Sequence, residues 1–399
     1  MQEHYDVVVS GGGIAGLTAA AAFGSAGYSV LCVDPSPPVM AEADPQSDLR
    51  TTAFLQPSIE VLEVAGLWTR FAPHAMPLQV MRIIDAGGDT PVPRVSHDFD
   101  AADISDQPFG WNLPNWLLRR ECVARLSALD AVTFRPGVGT RKLTTRESEA
   151  LVGLSDGTRV RARLLVAADG RNSPMRAALG IGVRTTRFGQ KALAFAVTHP
   201  VPHDNVSTEI HRSGGPFTFV PLPDRNGQPC SAIVWMETGP EVLRLAALPE
   251  DAFEAEMDRR SCGLFGPLKL ASRRTVWPII SQIAERFDGE RTALMAEAAH
   301  VVPPIGAQGL NMSLADLGAL LDLATPEGLG SREMLAAYHR RRYPDVALRV
   351  AGVGLLNRAS MIAARPLRDA RATVLKALYS AAPVRRALMQ IGVGVRQGR

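Results

Sequence analysis

The 399 residues are 46% apolar and 21% charged, with 43 Lys and Arg against 40 Asp and Glu, a formal net charge of +3. This ordinary usage excludes a disordered chain, and so small a positive excess excludes the electrostatic footprint of a nucleic-acid binder. No segment offers eighteen uninterrupted apolar residues, so no bilayer-spanning helix is expected, and Cys32, Cys122, Cys230 and Cys262 are too scattered for a zinc site or a disulfide framework, which fits a reducing cytoplasm.

The length predicts two or three domains. The first strand begins so soon after Met1 that no cleavable leader is expected. Neither an internal repeat nor a low-complexity tract is visible. Val7 to Val9 form an apolar, β-branched run, the pattern of a buried parallel strand. The run ends in Gly11-x-Gly13-x-x-Gly16, and an alanine-rich stretch from Ile14 to Ala26 predicts a helix. Gly27 closes it, and Tyr28 to Val33 resume as a strand ending on Asp34. Gly11 permits a tight turn, Gly13 lets backbone approach a pyrophosphate, and Gly16 lets helix and strand pack closely. Phosphates would meet the free N–H groups at the helix start, Ile14 and Ala15 among them, and the positive end of its dipole. Asp34 lies about 20 residues on, where a carboxylate accepts from both hydroxyls of an adenosine ribose. The motif predicts a dinucleotide without choosing between NAD and FAD.

Four prolines, Pro35, Pro37, Pro38 and Pro45, mark an irregular connection to Asp48-Leu49-Arg50. A helix is predicted from Gln56 to Leu67, stopping at Gly66. Arg50 is either a solvated surface residue or one that reaches across the nucleotide. Val80 to Ile84 and Val92 to Val95 read as strands around a Gly87-Gly88 turn, the beginning of a second, sheet-rich domain inserted into the first. A helix over Trp116 to Leu129 follows and carries Arg119 and Arg120, and a short meander turns at Ser155-Asp156-Gly157. Arg163 to Ala168 is a buried strand that delivers Asp169-Gly170. This is either a ligand position at the carboxyl end of a parallel strand or a plain β-turn.

From Val183 to Trp277 the pattern is mostly strand (Ala192 to Val197, Val206 to His211, Phe217 to Pro221, Ala232 to Met236), interrupted by one helix, Asp251 to Arg260. One face of such an antiparallel sheet can wall a substrate cavity at a domain interface. Thr292 to Met295 is a further buried strand, leading to Glu297-Ala298-Ala299-His300 and the loop Pro303 to Asn311. A helix beginning near Asn311 to Ser313 gives a second anion-attracting N-terminus, and a helix over Ser331 to Tyr343 follows. From Arg340 to Arg399 there are thirteen Lys and Arg against Asp345 and Asp369, interleaved with Val350, Leu355, Leu356, Met361, Ile362, Leu367, Leu375, Leu378 and Tyr379. That composition suits either an anionic membrane surface or a helical tail packed on the body with its arginines solvated.

The three stretches Gly11-x-Gly13-x-x-Gly16 with Asp34, Asp169-Gly170, and Glu297-Ala298-Ala299-His300 through Asn311 resemble the motifs of single-component FAD aromatic monooxygenases. Among these, the chain looks most like the ubiquinone-biosynthesis hydroxylases that act on polyprenyl-phenols. The supporting segments are Asp48-Leu49-Arg50 leading to Gly66-Leu67-Trp68, Gly215-Pro216-Phe217 to Pro221-Leu222-Pro223, Ser231 to Trp235 and Pro304 to Asp316. The resemblance implies an α/β fold with a Rossmann-like FAD-binding domain of the glutathione-reductase type, discontinuous over 1–75, 103–180 and 285–343. It implies an inserted antiparallel substrate domain over 76–102 and 181–284 and a helical C-terminal region over 344–399. Gly11, Gly13, Ile14, Ala15 and Gly16 would hold the FAD pyrophosphate and Asp34 the ribose. Arg50 and Arg119 would contact FAD with Asn115 close by, and Asp169 would lie near the pyrophosphate. Glu297 would face the ribityl chain, and the loop through Gln308, Gly309, Leu310 and Asn311 would lie against the isoalloxazine. Two departures stand out: Ala296-Glu297 replaces the family's Gly-Asp, and Ala307-Gln308-Gly309 replaces its Gly-Gln-Gly. Ala307 matters if that position needs a positive φ.

The activity implied is hydroxylation of an aromatic ring through a flavin C4a-hydroperoxide, with O2 as co-substrate and NAD(P)H as a transient electron donor. No residue is assigned as acid or base, no metal is expected, and His300 is read as structural. A polyprenyl-phenol substrate, a quinone-synthesis complex and the inner face of the cytoplasmic membrane are the expected partners and location. The rivals are a flavin-dependent reductase or halogenase, since Gly110-Trp111-Asn112-Leu113-Pro114 resembles a halogenase motif in outline but lacks its second Trp and Ile, and a non-catalytic FAD-binding subunit.

Overall fold

The computed structural model describes residues 3–88, 90–362, 364, 366, 368, 369, 373, 379, 380 and 382–394. Leu367, Leu375 and Leu378 of the basic C-terminal stretch lie outside the described residues. The first sheet is built on parallel pairing of continuous apolar runs. Strand Glu3–Ser10 lies between Arg159–Ala167 and Val30–Asp34, with Thr292–Leu294 and Val132–Pro136 outside them. Val9 is level with Val166 on one side and Cys32 on the other. Such strands need cover on both faces. The helix Ile14–Ser25 supplies part of it: Leu17, Ala19 to Ala22 and Phe23 are all fully buried. Its alanines allow close approach by the helices Asn115–Ser127 and Gln308–Leu323, so a segment that is apolar all round stays inside.

The second sheet runs in the order His300–Val301, Thr275–Ala284, Val183–Thr198, Gln228–Thr238, Pro216–Arg225, Val206–His211, Val80–Asp85, Val95–Asp100. Alternation sets its two faces. Leu193, Phe195 and Val197 point to Val242, Leu245, Phe253 and Met257 on the helices Gly239–Ala247 and Glu250–Arg260. Ala192, Ala194 and Ala196 point the other way. A third, three-stranded sheet (Thr51–Leu55, Gly110–Pro114, Met76–Leu78) bridges toward it, and Asn112 Nδ2 donates to the Pro221 carbonyl at 2.9 Å.

Several expectations are corrected. The second sheet is not wholly antiparallel: Val206–His211 pairs in parallel with Val80–Asp85, because the latter arrives from a distant part of the chain and no hairpin fixes its direction. The return strand is Val95–Asp100, not Val92 to Val95. Two helices, not one, cover the sheet. Thr275–Ala284 is a full strand that runs past Trp277, the expected end of the strand-rich stretch. The helix expected to end at Tyr343 runs from Arg332 to Met361 with Pro344 inside it. An internal proline costs about 3 kcal/mol, but buried Tyr338, Arg342, Val346 and Val353 anchor the helix on both sides of it.

Candidate functional site

The glycine turn is set by close contacts. A Cβ on Gly16 would stand 2.0 Å from the Gly11 carbonyl oxygen, and Gly11 itself has φ +111° with its missing Cβ 3.0 Å from Asp169 Cα. Turn, helix start and the end of strand Arg159–Ala167 therefore meet at one point. Gly13 caps the helix in extended conformation with no side chain bonded to the helix end, and nothing lies within 4 Å of where its Cβ would be. The first turn thus presents backbone N–H groups to open space. Asp34 Oδ2 accepts from Gly12 N at 2.6 Å and Oδ1 from Ser36 N at 2.8 Å. A carboxylate has about four acceptor positions, so two remain for ribose hydroxyls.

Two buried polar atoms here lack protein partners. Asp169 Oδ2 accepts from Met175 N at 3.1 Å, while Oδ1 is buried with none. Burial raises the Asp169 pKa against the opposing hydrogen bonds of Ser173 and Met175. Arg119 Nε is likewise buried without a partner, one turn from Cys122, which lies against Thr18 of the first helix. An uncapped helix start, two orphaned groups and the acid on the second strand fit a dinucleotide diphosphate and its ribose.

The second part of the site surrounds strand Thr51–Leu55. Arg50 donates through Nε and Nη2 to Asp48 at 2.8 and 2.7 Å, and its guanidinium lies 3.8 Å over the Trp277 ring. Asp48 also accepts from Asn115 Nδ2 at 3.0 Å, and Asn115 Oδ1 accepts from the Thr52 hydroxyl at 2.7 Å. Burial would raise the Asp48 pKa, but the Arg50 guanidinium holds it below the ordinary aspartate value. Arg50 is thus not freely solvated; it is a cation braced by Asp48, and the charge of Glu297 adds to its stabilisation. Sequence reading gave no role to Asp48 or Trp277. The spacing Asp48-x-Arg50 was a legible signal for the first; nothing local pointed to the second. A cavity of about 210 Å3, bordered by Leu49, Thr51, Trp116, Ala196, Leu222 and Cys230, lies between this strand and the alanine face of the large sheet.

The third part is the loop before helix Gln308–Leu323, which starts three residues earlier than expected. Ile305 packs against Ala192, Met236, Ile279 and Val353, so the loop abuts the alanine face. Gly309 is exposed and Leu310 half-buried, and no side chain caps the helix, whose N-cap Ala307 has φ +56° and ψ +27°. The other family-glycine position behaves alike: Ala296 has φ +53°. Left-handed backbone costs an alanine about 1–2 kcal/mol relative to glycine, so both departures are strained. Glu297 stands exposed in the turn Ala296–Ala298.

The side-chain amides of Gln308 and Asn311 serve the protein. Asn311 accepts from Leu55 N and the Ser58 hydroxyl and donates to the Ala53 and Ala307 carbonyls, all at 2.6–2.9 Å. Gln308 bonds Gly306, Gly392 and Arg349. His300 is fully enclosed, its Nε2–H donating to Asp316 Oδ2 at 2.6 Å, while Arg342 Nε donates to Oδ1 at 2.8 Å. Among the described residues no cluster of His, Cys, Asp and Glu could hold a metal ion, and no helix is long and apolar enough to cross a membrane.

Residues 4–351 match the family model described as FAD binding domain. The chain is 32% identical over 394 residues to the ubiquinone hydroxylase UbiL of Rhodospirillum rubrum, covering 98% of this chain and 89% of that one. It is 25% identical to the 3-demethoxyubiquinol 3-hydroxylase of Escherichia coli, covering 98% of each. In fold it is similar to the p-nitrophenol 4-monooxygenase PnpA of Pseudomonas putida, with a TM-score of 0.79, 18% identity and 100% of both chains covered.

Proposed function

The chain belongs to the FAD binding domain family of FAD-dependent monooxygenases, and from that membership we propose that it hydroxylates the ring of a polyprenyl-phenol intermediate of ubiquinone biosynthesis. The observation that carries this reading is the uncapped start of helix Gln308–Leu323 set against a wall of small and apolar side chains, Ala192, Met236 and Ile279 around Ile305. A planar ring fits against such a wall, and a negative charge fits such a helix end.

When bound, FAD supplies O2 activation and oxygen transfer, with electrons from NAD(P)H. The chain's own residues bind and orient. Gly11, Gly13, Ile14, Ala15 and Gly16 offer backbone to the diphosphate, Asp34 accepts from the ribose, Arg119 turns its unpartnered Nε to a phosphate oxygen, and Asp169 lies near the pyrophosphate. Arg50, braced by Asp48, which Asn115 holds in turn, places a positive charge beside the reaction space. The N–H groups of Gly309 and Leu310 would stabilise negative charge held at that helix end by about 0.3–2 kcal/mol. Ile305, Met236 and Val353 keep water from that end. In this reading 1–75, 103–180 and 285–343 form the FAD-binding unit, and 76–102 with 181–284 the substrate unit.

The C-terminal region supports a further part of the proposal, contact with the inner face of the cytoplasmic membrane, where a prenylated substrate resides. Leu348, Leu355 and Leu356 are 59–74% exposed on the long helix, and Val384 and Leu388 are exposed on the helix Ala382–Val393. With the basic excess of this stretch, the face suits anionic lipid. Sedimentation with phosphatidylglycerol vesicles that salt reverses is expected; equal partition to phosphatidylcholine would refute it. The activity is tested by mass spectrometry of quinone-pathway lipids in a strain lacking the protein. A polyprenyl-phenol short of a hydroxyl should accumulate as ubiquinone falls. Normal ubiquinone without a precursor, in a strain with no second hydroxylase, would overturn the substrate assignment.

A further inference from the structure

A continuous line of charged hydrogen bonds leaves the buried His300–Asp316 pair and ends at the loop before helix Gln308–Leu323. Arg342 bonds Asp316 and, through Nη1, Asp345 Oδ2 at 2.7 Å. Asp345 Oδ1 accepts from Arg349 Nε at 3.1 Å, and Arg349 Nη1 donates to Gln308 Oε1 at 2.8 Å. Gln308 Nε2 then donates to the Gly306 carbonyl at 2.9 Å and to the Gly392 carbonyl of the terminal helix at 3.1 Å. At its origin Asp316 Oδ2 also takes the Ala296 N–H at 3.3 Å. Both strained alanine turns, at 296 and 307, are thus tied to one chain of ions. Burial would raise Asp345, but Arg349 and Arg342 hold its carboxyl below the ordinary value, so the middle of the line stays charged.

A left-handed Gly306-Ala307 pair persists only where its surroundings over-determine it. Two side chains do so here. Asn311 grips the Ala307 carbonyl and Gln308 grips that of Gly306, and the Gln308 amide is itself aimed by Arg349 and Gly392. We infer that Arg349 is a positioning residue for the FAD-facing loop, and that the terminal helix Ala382–Val393 docks on the same amide, so loop geometry depends on the C-terminal helices. The inference rests on reading Gly306 to Leu310 as part of the FAD site. The consequence is chemical: if the loop relaxes, the N–H groups of Gly309 and Leu310 lose their aim, and the anionic reduced FAD suffers more than the neutral oxidised form.

The test uses the full-length protein, Arg349→Met, Arg349→Lys and a chain ending after residue 381. FAD dissociation constants come from flavin fluorescence, potentials from dye-coupled reduction, and hydrogen exchange of residues 304–311 from the FAD-free proteins. Arg349→Met should bind oxidised FAD about five-fold more weakly and reduced FAD about fifty-fold, a relative tenfold loss equal to about 30 mV toward negative potential for two electrons. Exchange in the loop should rise in the FAD-free protein, Arg349→Lys should recover part of each effect, and the shortened chain should move in the same direction. Unchanged potential and loop exchange in Arg349→Met and in the shortened chain would overturn the inference. Failure of the unaltered protein to bind FAD would instead overturn the reading of the site.

Discussion

Replacing Asp316 by Asn should be the most damaging conservative change in the molecule. The carboxylate is completely buried, accepts from Arg342 Nε at 2.8 Å on one oxygen, and from His300 Nε2 at 2.6 Å and Ala296 N at 3.3 Å on the other. An asparagine offers one oxygen and one NH2, so in either orientation a donor faces a donor. Arg342, 8% exposed, keeps only the half-solvated Asp345 as counter-charge. Removing one member of a buried pair costs about 3–5 kcal/mol. Unfolding entropy of about 2.1 cal/mol/K per residue gives about 0.8 kcal/mol/K for this chain, so Tm should fall about 4–6 °C. Burial would raise the Asp316 pKa, but His300 and Arg342 hold it below the ordinary aspartate value. The sign follows: the unfolded chain binds this proton more readily, so the stabilisation is complete above the unfolded pKa and is lost as pH falls through the folded one. The variant should therefore lack part of the acid-side slope of the Tm-against-pH curve. Calorimetry from pH 3 to 7 on both proteins checks this, with D316N/R342M losing about 1–3 kcal/mol less than the sum of the single changes. A loss below about 1 kcal/mol, or strict additivity, would refute the idea of a charge stranded by its partner's removal.

Gly16→Ala and Gly13→Ala should separate fold from ligand. The first places a Cβ 2.0 Å from backbone oxygen and should destabilise the FAD-free protein by about 1–3 kcal/mol; the second has open space and should change that stability by less than about 1 kcal/mol while weakening FAD retention. Unchanged FAD retention in Gly13→Ala would show that the open side of Gly13 is not the diphosphate side. Ala307→Gly relieves left-handed strain against the greater freedom of unfolded glycine, a net gain of about 0.5–1 kcal/mol by urea denaturation; a loss would mean that the methyl group is held by packing. Asp169→Asn supplies an N–H at the unpartnered oxygen position and removes a buried acid, so the FAD-free protein should gain stability by about 1 kcal/mol near neutral pH with FAD affinity kept. A tenfold fall in affinity would show that the ionised carboxylate is what the site requires.

The dinucleotide half of this protein was written locally. Gly11, Gly13, Gly16 and Asp34 act within one strand–helix–strand unit, where spacing along the chain fixes spacing in space, and their geometry follows the sequence pattern. The apolar run of Val7 to Val9 and the alternation around Leu193 likewise state which faces are buried. The rest was decided between segments remote in sequence. Asp48 lies two residues from Arg50 and was within its local reach, but only folding brought the Trp277 face over its guanidinium. Gln308 and Asn311 carry amides with several competent partners, and the packing of strand Thr51–Leu55 and the C-terminal helices claimed both. Pro344 signalled a helix end, and buried contacts on both sides of it prevailed. A sequence lists each side chain's donors, acceptors and apolar area. Which of several competent partners satisfies them is settled by distance, and distance between remote segments exists only once the sheets have packed.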